Sequence, residues 1–181
     1  MKKYNTKDIV LAALLTALSM IITFSPLRLP FPPPFSVTLG SHVPTMVALF
    51  INPTVTLFTV IGSVIGFAVT AADPIIVPLR AATHILFALV GRYLIMHRFI
   101  KNDIVNYIVV IVVTSLIHAL SESLVVMLVT PIIAPEKMTS TIVTLTFVGT
   151  IFHHYVDALI TVPVVLSLRR GGLIGGIIHN R

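Results

Sequence analysis

Long apolar runs, separated by short polar or proline-rich segments, dominate the chain. A helix needs about 20 residues to cross the hydrocarbon core of a bilayer. Five runs approach or exceed that length and a sixth is shorter; together they predict helices at about 8–24, 39–51, 54–70, 75–96, 104–128 and 141–168. The pattern therefore predicts an all-α integral membrane protein, with residues 1–181 forming a single domain of six transmembrane helices.

The segment after the first run, at 25–36, differs from the others because it is apolar but rich in proline. Proline fixes φ and has no backbone N–H, so this stretch is not expected to be helical. Irregular backbone with unpaired polar groups is not tolerated facing lipid. We therefore expect the segment to lie at the membrane interface or to fold over the protein. Its prolines are Pro26, Pro30, Pro32, Pro33 and Pro34.

Composition supports the membrane assignment and excludes several kinds of function. Hydrophobic residues make up 56% of the chain, charged residues 10%, and the mean hydropathy is +1.05. Soluble domains carry about a quarter charged residues. The chain has no cysteine, which excludes disulfides and thiol chemistry. Its net charge of +6 comes from short clusters between apolar runs rather than one basic face, so no nucleic acid is expected as a partner.

The basic clusters also predict orientation. Lysine and arginine are enriched in cytoplasmic loops. An even number of spans places three clusters on one side, which predicts that both termini are cytoplasmic. The opposite loops carry only Arg28 and Lys137. The three clusters are Lys2, Lys3 and Lys7; Arg98 and Lys101; and Arg169, Arg170 and Arg181.

Two pairs of ionisable residues lie inside predicted helices, where such residues are costly and need a reason. Arg80 and His84 are four residues apart on the fourth helix, and His118 and Glu122 are four apart on the fifth. At about 1.5 Å per residue, Arg80 and Glu122 have similar depths. They could form a structural clamp between the helices, or Arg80 could bind a carboxylate ligand. The two roles are compatible, because a ligand can compete for the arginine.

The sixth predicted helix carries His153, His154 and Asp157. Arg92, on the fourth helix, has about the same depth as Asp157, which predicts a structural ion pair between them. Adjacent histidines point about 100° apart on a helix. His118 together with His153 or His154 lacks the compact spacing typical of zinc ligands. The sequence therefore predicts neither a metal site nor a cofactor.

Small residues at helical spacing indicate close packing between membrane helices. Gly62 and Gly66 on the third helix are interpreted as internal packing. Ala13 and Ala17 lie on the first helix, within the motif Ala13-Leu14-Leu15-Thr16-Ala17. They indicate a second surface at which another helix can approach closely.

With these residues in place, the chain resembles the substrate-binding S components of energy-coupling factor (ECF) vitamin transporters over essentially its whole length. The resemblance rests on chain length, on six helices with both ends inside, and on the small-residue motif of the first helix. It also rests on the proline-rich, aromatic first outer loop and on a short second helix that starts near Ser41-His42-Val43-Pro44.

The resemblance implies a multi-pass plasma-membrane protein that is a transport component and not an enzyme. Members of this family capture a vitamin near the outer face, under the first outer loop. They dock on a shared transmembrane subunit that carries two ATPase subunits. On this chain the lid would be at 29–35, with Phe31 and Phe35, and the docking surface would be Ala13 and Ala17. The ligand-binding residues implied are Arg80, His84, His118, Glu122 and His154, with His42 behind them.

An arginine beside histidines suits a small carboxylate, so niacin is the expected vitamin, followed by pantothenate and a pyridoxine-like compound. The absence of tryptophan argues against a large flavin or a thiazolium held by stacking. Two other classes stay open. A stand-alone channel or facilitator would need a continuous polar path, and a small membrane enzyme would have to use His153, His154 and Asp157 without a recognisable nucleophile motif.

Overall fold

The structure is a computed structural model that describes residues 6–26, 28–29, 37–97 and 99–174. A two-stranded antiparallel sheet pairs β1 (Arg28–Leu29) with β2 (Val37–Thr38), and a 3-10 turn occupies Pro135–Lys137. The described α-helices are α1 Thr6–Ile22, α2 Val43–Ala48, α3 Pro53–Thr70, α4 Ile76–Ala82, α5 His84–His97, α6 Asp103–Ile133 and α7 Ser140–Arg170.

Side-chain caps fix where three of the long helices begin. Asn52, Asn102 and Thr139 have extended backbones, and each side-chain oxygen accepts a hydrogen bond from the amide three residues later, before α3, α6 and α7 respectively. Such caps satisfy one of the free N–H groups in the first turn of a helix. The cap before α3 is followed directly by Pro53, whose fixed φ suits the first helical position.

The predicted fourth helix, at 75–96, is interrupted in the structure. α4 ends at Ala82 and α5 starts at His84, with Thr83 between them. The Thr83 hydroxyl donates to the carbonyl of Arg80 at 2.7 Å. Hydroxyl groups that bond back to the preceding turn tend to bend helices. The bend lies between Arg80 and His84, the two residues that the sequence placed on one continuous helical face.

Two helices are longer than predicted, and each continues through a proline. α6 extends past the expected end at 128 to Ile133 and contains Pro131, while α7 contains Pro163. The second helix is shorter than predicted: only Val43–Ala48 is α-helical. Gly40, with φ of 81°, turns the chain just before it, in a conformation that glycine adopts without steric cost.

Contacts between helices show in which direction each segment runs. Gly62 lies against Thr16 and Ser19 of α1, and Gly66 lies against Met20 and Thr23. The numbers of the contacting residues thus increase together along the two helices, so α1 and α3 run parallel. The chain between them must therefore return through the bundle. A Cβ at Gly62 would come within 2.7 Å of the Thr16 carbonyl oxygen, so this contact requires glycine and confirms the internal packing predicted for the pair.

Among the described residues, the helical segments in chain order are α1, the short α2, α3, α4 with α5, α6 and α7. Lys7 near the start donates to the carbonyl of Gly172 near the end at 2.6 Å, so both lie at the same end of the bundle. We call this the terminal end. The opposite end, which carries the β1–β2 sheet and the turn Pro135–Lys137, is called the sheet end.

The helices suit a multi-pass membrane protein. Within the described residues, four segments are long and apolar enough to cross a bilayer: Pro53–Thr70, Ile76–His97, Ile104–Ile133 and Ser140–Arg170. α2 has six residues and is about 9 Å long, too short to cross the hydrocarbon core as a helix. The count of six membrane spans and the cytoplasmic position of both termini stay predictions.

Candidate ligand-binding site

The six residues expected to bind a ligand are buried together between the helices. None has more than 5% of its surface exposed. They come from four elements: the start of α2, the α4–α5 bend, the middle of α6 and the middle of α7. These residues are His42, Arg80, His84, His118, Glu122 and His154.

Arg80 and Glu122 form an ion pair, which agrees with their similar predicted depths and with the clamp that the sequence left open as one alternative. The Arg80 Nη2 atom lies 2.7 Å from Glu122 Oε2, and Nε lies 3.3 Å from the same oxygen. The hydroxyl of Thr150 on α7 also donates to Oε2, at 2.7 Å. Glu122 Oε2 is therefore held from α4 and from α7, which leaves Oε1 directed to other partners.

Glu122 Oε1 faces two imidazoles. His84 Nε2 lies 3.3 Å away and makes a hydrogen bond to it. His118 Nε2 is also 3.3 Å away, at ion-pair distance, but the contact does not meet the geometry of a hydrogen bond. The nitrogen of His118 is thus close to a carboxylate, completely buried, and unsatisfied among the described residues. Buried polar atoms without a partner are uncommon and indicate a missing contact.

His42 is oriented by Asp157 of α7. Its Nδ1 lies 2.9 Å and its backbone nitrogen 3.0 Å from Asp157 Oδ2, and the backbone N–H of Gly40 donates to Oδ1 at 2.7 Å. A carboxylate accepts hydrogen bonds, so Nδ1 carries the proton and Nε2 presents a lone pair. That Nε2 lies 3.2 Å from Nε2 of His84. The loop before α2 therefore brings a third imidazole to the Glu122 group.

The predicted pair between Arg92 and Asp157 is wrong. Arg92 donates to the backbone carbonyl of Leu49 at 2.7 Å, while Asp157 is held by His42, His153 and the Gly40 amide. The depth argument considered only α5 and α7. It failed because the segment containing α2 passes between them and offers its own polar groups to each.

The two adjacent histidines of α7 have separate roles. His153 Nε2 lies 3.0 Å from Asp157 Oδ2 and 3.1 Å from the carbonyl of Thr38 on β2. His154 points elsewhere: its Nε2 is 3.0 Å from the Thr114 hydroxyl and its Nδ1 is 3.1 Å from Nδ1 of His118. His153 thus joins α7 to the sheet, and His154 supports His118 from behind.

Two cavities adjoin these residues. The smaller, of about 20 Å³, is polar and has room for about one water molecule. The larger, of about 520 Å³, lies toward the terminal end and is almost wholly apolar. His154 lines the larger cavity and contacts His118. The side chains around the smaller cavity include Thr38, Ser41, His42, Phe67, Arg80, His84, Glu122 and His153.

Two sets of buried side chains could hold a metal ion, because in each set the donor atoms lie within 4.8 Å of one another. One set is His42, His153 and Asp157. The other is His42, His84, His118 and Glu122. Sequence spacing gave no sign of either, since the histidines of the two sets come from four separate elements.

Thr150 and the partners of His42 were not identified from sequence. Thr150, His153, His154 and Asp157 follow the spacing of one face of a helix, which could have included Thr150 in the site. The Gly40 amide and the Thr38 carbonyl are backbone groups, and no sequence pattern predicts their position. Phe31 and Phe35, the expected lid residues, lie outside the described residues.

The two small-residue surfaces of the third and first helices differ in exposure. Gly62 and Gly66 are buried against α1. Ala13 and Ala17 are exposed on the opposite side of α1, whose Leu15 and Ser19 are buried. The alanine surface is thus available to another helix, as the predicted docking role requires, and that role stays a prediction.

Comparison with known proteins gives one informative similarity. The chain is 35% identical over 134 residues to the niacin transporter NiaX of Lactococcus lactis subsp. cremoris (strain MG1363). The matched region covers 69% of this chain and 56% of that protein, so the chain spans little more than half of its relative's length. No family model matches the chain, and no solved structure matches it.

Proposed function

We propose that this chain is the substrate-binding component of a vitamin importer of the ECF type, and that its ligand is niacin in its anionic form, nicotinate. The observation that carries the proposal is the buried group of Arg80, His84, His118 and Glu122 inside an otherwise apolar membrane protein. Ionisable residues at such positions are costly and usually functional. The similarity to a niacin transporter supports the same conclusion.

Nicotinate has two groups that this site can recognise, a carboxylate and a pyridine nitrogen. Arg80 can hold a carboxylate through its planar guanidinium. Imidazole N–H groups can donate to the ring nitrogen. Phe67 and Phe87 can supply apolar contact for the ring face, because Phe67 lines the small cavity and the Phe87 ring lies 5.6 Å from the His84 ring. A cavity of 20 Å³ is too small for a pyridine carboxylate, so binding requires outward movement of the segment at 37–41 that closes it.

Apart from Thr114, His154, Thr161 and Arg169, the described side chains that line the larger cavity are mainly apolar, which disfavours a stand-alone channel. Most of them are leucine, isoleucine, valine and phenylalanine. Charged ligands pay a large desolvation cost in such surroundings. An occluded site that is polar on one side and apolar on the other suits a binding component that depends on partner subunits to release its ligand.

Binding of radiolabelled nicotinate to the purified protein tests the ligand. We expect saturable binding of one nicotinate per chain, measured by equilibrium dialysis with and without added divalent metal. Nicotinamide, which lacks the carboxylate, should compete at least tenfold more weakly, because it loses the charged contact with Arg80. Pantothenate and pyridoxine serve as further competitors. Failure of a well-folded protein to bind nicotinate in either buffer would overturn the proposed ligand.

Bulky substitutions on α1 test the partner. Ala13→Leu with Ala17→Leu should leave nicotinate binding unchanged and abolish both uptake and co-purification with a transmembrane subunit and two ATPase subunits. The matched control is Gly62→Leu, which introduces the same side chain on the buried surface and should impair folding because of its contact with the Thr16 carbonyl. Normal uptake by the double leucine variant would exclude this surface as the docking site.

A further inference from the structure

Three imidazoles and one carboxylate oxygen converge beside the small cavity. His42 Nε2 lies 3.2 Å from His84 Nε2, and both His84 Nε2 and His118 Nε2 lie 3.3 Å from Glu122 Oε1. All four donor atoms are within 4.8 Å of one another. The four residues are buried, and each imidazole ring contacts the other two, with centroids 4.4–4.9 Å apart.

These separations match the coordination shell of a small metal ion. Zinc–nitrogen bonds of about 2.0–2.1 Å in a tetrahedron place neighbouring ligand atoms about 3.3–3.4 Å apart. Three of the donor pairs already have separations of 3.2–3.3 Å. The adjoining cavity of 20 Å³ is also the size of a single water molecule or ion rather than an organic ligand.

The hydrogen bonds around the group leave Nε2 of His42 and of His118 available, whereas Nε2 of His84 donates to Glu122 Oε1 and would have to release its proton when a metal binds. Asp157 accepts from Nδ1 of His42, so Nε2 presents its lone pair, the arrangement in which a carboxylate commonly orients a metal-bound histidine. His118 contacts His154 through Nδ1, while its buried Nε2 has no hydrogen-bond partner. The missing contact of Nε2 has a simple explanation if this nitrogen binds a cation.

Charge balance gives a second, independent reason. With neutral imidazoles the buried group contains one positive charge, on Arg80, and two negative charges, on Glu122 and Asp157. Arg80 is already paired with Glu122, so an anionic vitamin would add a second unpaired negative charge in a low-dielectric site. A divalent cation would make the group positive by one unit, and nicotinate would then neutralise it.

We propose that His42, His84 and His118, with Glu122 Oε1 as fourth ligand, bind a divalent transition-metal ion of the zinc class, and that this ion anchors the anionic vitamin. The nitrogen-rich donor set favours zinc, nickel or cobalt over magnesium or calcium. The metal site depends only on the geometry of these four residues. Its role as an anchor rests on the function proposed above.

Zinc binding is measured on protein purified through a tag without histidine, stripped with a chelator and dialysed against Zn²⁺ alone. We expect one zinc per chain by mass spectrometry of the metal. X-ray absorption at the zinc edge should show imidazole nitrogens and a carboxylate oxygen at about 2.0–2.2 Å. Stripped, monodisperse wild-type protein that retains no zinc would overturn the metal site.

The ligand atoms are tested with a double variant, His42→Asn with His118→Asn. Asparagine keeps a polar atom near the position of Nδ1, so contacts with Asp157 and His154 can persist, but it removes Nε2. Zinc affinity should fall at least about a hundredfold, because outer partners of metal ligands alone change affinity by about 10–100-fold. The matched control is His97→Asn: His97 is exposed, also uses Nδ1 toward a backbone carbonyl, and lies outside the group.

Equal zinc retention by the double variant and the control would overturn the assignment of ligands. If the double variant fails to fold, wild-type protein loaded with Co²⁺ replaces it, and the absence of the visible spectrum of tetrahedral cobalt would overturn the site.

Nicotinate binding before and after chelation separates the metal site from the proposed function. Loss of binding on stripping and recovery with Zn²⁺ would support the anchoring role. Equal nicotinate affinity in zinc-free protein would overturn that role. Zinc retention without nicotinate binding in either state would leave the metal site standing and remove the proposed function. Nicotinate binding by a protein that never retains zinc would leave the proposed function standing and remove the metal site.

Discussion

Two cavities among the described residues differ in the property that is usually taken to identify a binding site. The larger one, about 520 Å³, has the volume of a typical small-molecule pocket, yet its wall is nearly all aliphatic and aromatic. The smaller one, about 20 Å³, has almost no free volume but is surrounded by an arginine, a glutamate and three histidines. Under the proposed function, in which the ligand is charged, buried charge is the better guide to the site than empty space.

The difference has a physical basis. Apolar side chains lose little if a void between them is filled by lipid or left partly empty, whereas buried charges must be matched closely by other groups. The Arg80–Glu122 pair is such a match. Groups that pair this closely leave little free volume between them, which accounts for the small size of the polar cavity.

The largest expected effect is a difference in cysteine labelling between the sheet end and the terminal end of the bundle. We expect a single cysteine at position 137 to be labelled from outside the cell and one at position 101 to be protected, because the basic clusters predict a cytoplasmic terminal end. The native chain has no cysteine, and both lysines are exposed. Labelling by a membrane-impermeant maleimide checks the assignment. Labelling of position 101 but not 137 in intact cells would place the apolar cavity on the outer side.

The next largest effect is expected at Arg80. Arg80→Ala should weaken nicotinate binding about 10–100-fold, since a hydrogen bond to a charged group is worth about 1.5–3 kcal/mol and each 1.4 kcal/mol is one decade. Arg80→Lys should recover only part of the loss, because an ammonium lacks the planar fork. Isothermal titration with nicotinate measures both. Unchanged affinity in folded Arg80→Ala protein would mean that Arg80 serves only to pair Glu122.

The variant Glu122→Gln should show whether Glu122 only pairs with Arg80 or also contributes to ligand binding. If Glu122 only holds Arg80, the variant should unfold at lower temperature and bind nicotinate as well or better, because the arginine is released. If Glu122 also holds a metal ion that the vitamin needs, nicotinate affinity and bound zinc should fall together. We expect the second result, with a loss of about tenfold or more, by analogy with changes around other metal ligands. Thermal unfolding and metal content are measured on the same samples.

Sequence reasoning predicted neighbouring side chains where simple helix geometry applies. Arg80 and Glu122 were expected at similar depths, either as a clamp or with Arg80 bound to a ligand, and their atoms lie 2.7 Å apart. The rise of a helix is constant, so depth can be counted along it. His118 and Glu122 likewise share a buried face of α6, as the spacing of four residues predicted.

The same reasoning failed where the chain is not helical. His42 was placed behind the other candidates, yet it lies among them, because the turn at Gly40 and the short α2 insert it between α5 and α7. The Arg92–Asp157 prediction failed for the same reason. No metal site was expected because compact spacing was required, whereas the grouping of His42, His84 and His118 comes from tertiary packing. Helical periodicity cannot predict where an irregular segment re-enters the bundle.

The smallest expected effect is at the large cavity. Val110 lines it on α6, eight residues and about 12 Å along the helix from His118. Val110→Phe should change nicotinate affinity by less than about twofold, because effects of substitutions more than about 7–10 Å apart are usually independent. Thermal stability should stay equal or rise, since filling a void commonly stabilises a protein. A tenfold loss of nicotinate affinity in the folded variant would show instead that the apolar cavity belongs to the vitamin site. Cavity volume would then be a better guide to that site than buried charge.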